Sequence, residues 1–140
     1  MPDRITTFEL TWENCGCCSA ADVVRETISI YRNLNLLIFC EYNGYRKRVG
    51  FNRTNIDKKL ADDFFSFLEA TEQEMNTDYA VEACDGSKWK IRMWHSSHKV
   101  TMIYGTIDYP PHGKEIEAYI LSFIENATGV MNPQMFGCGQ

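Results

Sequence analysis

The chain has 140 residues, 44% hydrophobic and 24% charged, enough to bury a core without help from a metal or disulfide. A formal net charge of −5 argues against a generic nucleic-acid binder, which carries a net basic face. No apolar run reaches the roughly 18 residues that a membrane-crossing helix needs.

Arg4 to Trp12 alternates apolar with polar residues and reads as a strand. Glu13 to Ser19 is a loop holding Gly16 and three cysteines. Val23 to Arg32 alternates again, and Asn33 to Asn35 turns the chain into the apolar run Leu36 to Tyr42. Asn43-Gly44 is the strongest hairpin signal, because a type I′ turn needs positive φ at both central residues. Tyr45 to Phe51 returns, with Tyr45, Val49 and Phe51 on one face. Thr54 is the expected N-cap of a first helix, with Asp57 an imperfect capping-box partner. Leu60, Phe64, Phe67 and Leu68 line one side of that helix, while Asp57, Lys58, Asp62 and Glu69 face away.

Thr71 to Thr77 is polar and reads as a loop, followed by a short strand over Tyr79 to Cys84 and a turn at Asp85-Gly86. Trp89, Ile91 and Met93 alternate with Lys90, Arg92 and Trp94. Ser96-Ser97 is expected to turn that strand into Lys99 to Tyr104, where Val100, Met102 and Tyr104 share a face. Pro110-Pro111 stops the hairpin, since proline lacks an amide donor. A second helix is expected from Pro111 or His112 to Asn126, closed by Thr128-Gly129.

The second half echoes the first. Leu60, Phe64, Phe67 and Leu68 recur as Ile116, Ile120, Phe123 and Ile124, and Ser66-Phe67-Leu68-Glu69 becomes Ser122-Phe123-Ile124-Glu125. The expected fold is therefore α+β: antiparallel sheet with two main helices, arranged as two ββ(β)α halves about a rough two-fold. Residues 1–129 form one domain in this reading, and residues 130–140 a loose tail. Met1-Pro2-Asp3-Arg4 lacks the layout of a signal peptide, so a cytoplasmic setting with reduced cysteines is expected.

Asp85-Gly86-Ser87-Lys88-Trp89-Lys90-Ile91, then Lys99, Gly105, Tyr109-Pro110 and a closing helix, resembles a pattern in small bacterial α+β proteins. Some small acidic α+β proteins of that general kind are immunity proteins against secreted bacterial toxins. The resemblance implies a fold and no functional residues, and the Cys-rich loop lies outside the pattern.

Cys15-Gly16-Cys17-Cys18 is the most unusual segment. Thiolates bind soft metals such as zinc, and Cys138 in the tail is a candidate fourth ligand. The gaps between these cysteines are shorter than structural zinc sites favour, so the plain alternative is a small-residue loop with incidental thiols. Redox chemistry pairing Cys15 or Cys17 with Cys138 is the third reading. Cys40 and Cys84 read as small buried hydrophobes. His95 and His98 flank the Ser96-Ser97 turn and either converge on a metal or decorate an exposed tip. His112 reads as a neutral surface residue.

No G-x-S-x-G, phosphate loop or dinucleotide fingerprint is present, so a non-enzymatic role is expected, without a cofactor. If Trp89 faces the core, Trp94 points the other way and stands beside Arg92 as an interface anchor, unless a second layer covers it. The expected function is an acidic protein-binding module, most concretely a toxin-neutralising one that occludes a basic active site. Trp94, Arg92 and Tyr104 are its expected contact residues, with Glu72 and Glu74 as an acidic rim. Its partner is then a protein, such as a toxin domain, and neither a nucleic acid nor a membrane. The competing reading is a metal- or redox-responsive protein using Cys15, Cys17, Cys18 and Cys138.

Overall fold

The computed structural model describes residues 3–14, 23–42, 48–53, 56–75, 78–79, 87–105 and 112–128. Their strands are β1 (Ile5–Asn14), β2 (Val23–Tyr31), β3 (Leu36–Tyr42), β4 (Arg48–Arg53), β5 (Asp78–Tyr79), β6 (Ser87–His95) and β7 (Val100–Gly105). Among the described residues there are two α-helices, α1 (Lys58–Thr71) and α2 (Gly113–Thr128). The strands form one sheet in the order β4-β3-β2-β1-β6-β7-β5. Every pairing is antiparallel except β5 on β7, which is parallel. The fold is α+β, as the pattern of strands and helices predicts.

Alternation decides which face is covered. Phe8, Leu10 and Trp12 of β1, Ile28 and Ile30 of β2, and Trp89, Ile91 and Met93 of β6 are all buried. Most of them join Ala61, Phe64, Phe65 and Leu68 of α1 and Ile116, Ile120 and Phe123 of α2 in a single core. Both helices therefore lie on one side of the sheet. Phe64 is the hub: its ring meets Phe8 edge-on at 5.1 Å, Phe123 at 5.5 Å and Tyr119 at 5.2 Å. Burying such a side chain stabilises by about 2–3 kcal/mol. Of the repeated helix positions, Phe64, Leu68, Ile116, Ile120 and Phe123 thus meet in one shared core. Among the described residues four strands precede α1 and three lie between α1 and α2, so the expected two-fold relation between the halves is not established.

Several boundaries differ from the sequence reading. Helix α1 starts at Lys58, with Asp57 at the N-cap, and the Asp57 side chain makes no cap bond. Its carbonyl accepts from the Ala61 amide at 3.0 Å, so backbone geometry alone starts the helix. Thr54 lies outside the described residues. Phe65 is fully buried although it falls beside the expected apolar stripe. Glu69, expected to face away, accepts from the Ile5 amide at 2.8 Å and pairs with Arg32 at 3.2 Å. The Arg32 guanidinium also lies 4.9 Å from the Phe65 ring centroid. The strand expected at Tyr79 is only Asp78–Tyr79 in the described residues. Helix α2 continues to Thr128, past the expected Asn126. The Asn43-Gly44 turn and the 130–140 tail lie outside the described residues.

Candidate binding face

The face of the sheet opposite the helices is built by the alternate residues of each strand. Register sets them in rows. Tyr31, Thr7, Trp94 and Val100 are successive cross-strand neighbours from β2 to β7. The next row is Leu37, Ser29, Glu9, Arg92 and Met102. The one beyond is Phe39, Thr27, Thr11, Lys90 and Tyr104. Four large hydrophobic side chains are exposed among the described residues: Phe39 at 40%, Val100 at 46%, Met102 at 42% and Tyr104 at 44%. All four stand on this one face.

Charge is distributed along the strands. Toward one end Arg25 pairs with Glu13 at 3.2 Å, and Lys88 and Lys90 stand on the neighbouring strand. Nearer the other end Glu9 faces Arg92 at 3.7 Å, too long for a hydrogen bond.

That other end is shaped by two matching hairpin loops. In the β2–β3 hairpin the Tyr31 amide donates to the Asn35 carbonyl and the Leu34 amide to the Tyr31 carbonyl, both at 2.9 Å. In the β6–β7 hairpin the His95 amide donates to Lys99 at 2.9 Å and the His98 amide to His95 at 3.0 Å. Each loop has three residues, and its third is left-handed: Leu34 has φ 74° and His98 has φ 72°. Three-residue hairpin loops commonly end in that conformation. The first residue of each loop grips the start of β1: Arg32 donates to the Thr6 carbonyl and Ser96 to the Arg4 carbonyl. A β-bulge between Ile5 and Thr7 lies between these grips, and the Thr6 hydroxyl donates to the Trp94 carbonyl at 3.2 Å. Bulges re-aim side chains beside functional surfaces.

A cavity of about 590 Å³ opens here, lined by Thr6, Thr7, Glu9, Tyr31, Trp94, His95, Ser96 and His98. A second, of about 360 Å³, is lined by Glu9, Arg25, Thr27, Ser29, Tyr31, Leu37 and Phe39. Glu9 and Tyr31 border both, so one depression runs from His98 to Phe39.

The sequence reading placed Trp94, Arg92 and Tyr104 together, and the structure brings all three to this face. Trp94 is half-buried, and Trp89 is buried beneath the sheet. Glu72 and Glu74 do not join them. They form a single 3-10 turn after α1, on the helix side. The Glu72 carboxylate meets His95 Nε2 at 2.7 Å, and Glu74 meets His112 Nε2 at 2.9 Å. A rim of acidic residues around Trp94 therefore does not form from these two positions.

His95 and His112 depart from expectation, while His98 takes the exposed-tip reading. His95 is buried, with Asp3 at 2.9 Å from Nδ1, Glu72 at Nε2, and the Thr101 hydroxyl 3.4 Å away. His98 is exposed. The extra loop residue removes the cross-strand relation that would have let the two converge. Desolvation pushes the Asp3 carboxyl up, but the Ser97 amide and hydroxyl, His95 and Ser96 outweigh it and hold it below its ordinary value. His112 is half-buried rather than on the surface, with its ring edge-on to Phe67 at 5.7 Å.

Among the described residues no group of three or more His, Cys, Asp or Glu is placed to hold a metal. Cys15, Cys17, Cys18, Cys84 and Cys138 lie outside them. No helix among them is long and apolar enough to cross a membrane. The residues missed from sequence were Glu9, Tyr31, Thr7 and Phe39; alternation within each strand marks their face, but only strand order makes them neighbours. No protein-family model matches the chain, and no curated protein matches it.

Proposed function

We propose that the chain is a protein-binding module that works through the uncovered face of its sheet. The observation that supports this is that Phe39, Val100, Met102 and Tyr104 all stand exposed on one face: the last three lie on β7 beside half-buried Trp94, and Phe39 lies across the sheet on β3. Exposed apolar groups set together among charged ones mark interaction surfaces. Trp, Tyr, Met and Arg are the residues enriched at such interfaces. The most concrete form of the reading is toxin neutralisation, in which this face covers a partner's active site. A chain of net charge −5 would speed encounter with a basic partner.

The test begins with a captured partner and its affinity for purified chain. Phe39→Lys and Tyr104→Lys should each weaken binding at least tenfold with unchanged thermal unfolding. Lys59→Glu and Lys114→Glu, on exposed helix positions, should leave affinity unchanged. The reverse pattern would move the interface to the helices and overturn the reading. For the neutralising role, the partner's catalytic activity should fall to background at one equivalent of chain. An active bound partner would rule that role out.

A further inference from the structure

The end of the open face between the two hairpin loops has the chemistry of a cation receptor. Tyr31 and Trp94 are cross-strand neighbours of the same residue, Thr7, one on either side. Two strand spacings put their backbones about 10 Å apart. Thr7, the small residue between them, lines the cavity with both rings. A flat group held between two ring faces at van der Waals distance needs about 7–8 Å between the rings, which this spacing can provide. Glu9, two residues along β1 on the same face, places a carboxylate in the same cavity.

The charge of the lining is selective. Glu9 borders this end of the depression and, among the described residues, no Lys or Arg lines it, whereas Arg25 lines the Phe39 end. Arg92 Nε ion-pairs with Glu9 Oε1 at 3.7 Å, beyond hydrogen-bond distance, so the carboxylate's acceptor positions stay open to the N–H groups of a visitor. Two aromatic rings and a carboxylate bind a cation by complementary means: the ring faces attract it and the carboxylate accepts its hydrogens. A guanidinium fits best, because it is planar, stacks on rings and presents a fork to a carboxylate.

We infer that this slot takes an arginine side chain of the partner protein, making Tyr31, Trp94 and Glu9 the specificity-determining contacts of the open face. The inference rests on the protein-binding reading and adds to it what the partner must present. The matching hairpin loops make the slot rigid in advance, because both are fastened to the same start of β1 by backbone hydrogen bonds. Preorganised sites lose less freedom on binding.

The probe is N-acetyl-arginine methylamide, titrated into the full chain while the indole N–H signals of Trp12, Trp89 and Trp94 are followed by NMR. Trp12 and Trp89 are buried and serve as internal controls. The Trp94 signal should shift saturably, and the lysine and glycine analogues should bind more weakly. Glu9→Gln should weaken the response about tenfold or more, the loss expected for a charge-assisted hydrogen bond. Thr7→Leu, which fills the floor and leaves every charge in place, should abolish it. An absent shift, or one of equal size with the glycine analogue or in Glu9→Gln, overturns the slot. Should the slot fail while Phe39→Lys and Tyr104→Lys still weaken the captured partner, the open face stands and only the arginine assignment falls.

Discussion

His95 and Glu72 meet at 2.7 Å where the β6–β7 hairpin touches the turn after α1. The contact joins the two layers of the fold at the end of the sheet, and Asp3 closes the other side of the ring. The His95 side chain is 6% exposed and Glu72 14%. Replacing His95 with Ala leaves Glu72 largely buried without its donor. Leaving such a group unsatisfied costs about 1–3 kcal/mol, more where it is charged. Urea unfolding should show that loss for His95→Ala and a smaller one for Glu72→Gln. Equal stability of His95→Ala and the native chain would mean that the contact contributes nothing.

Trp89 and Trp94 separate core from surface on one strand. Trp89 is 1% exposed within the core, and Trp94 lines the open cavity. Trp89→Ala should cost about 3–5 kcal/mol. Trp94→Ala should cost about 1 kcal/mol or less, the scale of a change away from the core. It should still abolish partner binding. Denaturant curves beside binding isotherms check both halves, and a large loss of stability in Trp94→Ala would make it a structural residue.

Phe64 touches both layers, through Phe8 of β1 and through Tyr119 and Phe123 of α2. Phe64→Ala should cost about 3–5 kcal/mol, since the cavity left between sheet and helices cannot collapse fully. Phe64→Leu should cost much less. Thermal unfolding of the two variants distinguishes packing volume from aromatic geometry.

Asp3 sets a pH dependence. Its carboxyl is held below its ordinary value when folded, so the folded state favours the ionised form. Its contribution is complete above the unfolded value and is lost as pH falls through the lowered folded one. The stability gap between the native chain and Asp3→Asn should therefore shrink in strong acid. Denaturation at a series of pH values reads this directly, and a gap that widened in acid would contradict the sign.

His98 holds φ 72° at the tip of the β6–β7 loop. A left-handed L-residue costs about 1–2 kcal/mol, and glycine avoids that at some cost in chain entropy. His98→Gly should raise stability by up to about 1 kcal/mol, and His98→Val should lower it, β-branching making the conformation worse. Chemical denaturation checks both. The pair also tests whether the loop shape, rather than the imidazole, maintains the slot.

Much of the fold was legible because burial follows local period. The alternation of Trp89, Ile91 and Met93 against Lys90, Arg92 and Trp94 fixed which side each would face, and the structure agrees. Of the helical stripe Leu60, Phe64, Phe67 and Leu68, Phe64 and Leu68 enter the core, Leu60 and Phe67 pack against its edge, and Ala61 and Phe65 join it from beside the stripe. Expectation failed where one residue changed a register. Reading the β6–β7 turn as Ser96-Ser97 alone set His95 opposite His98, whereas the three-residue loop sets it opposite Lys99 and buries it between Asp3 and Glu72.

The sequence by itself determined the α+β class, the core face of β1, β2 and β6 and the outward direction of Trp94, because these depend on spacing within single segments. Only the tertiary structure decided that β1 lies between β2 and β6. That order places Tyr31 and Trp94 on either side of Thr7, with Glu9 beside them, while packing of the turn after α1 pairs Glu72 with His95 and Glu74 with His112. Strand order is a contest among long-range pairings whose costs lie in loop closure and whose gains lie in a shared core, and neither is written in any one stretch of the chain.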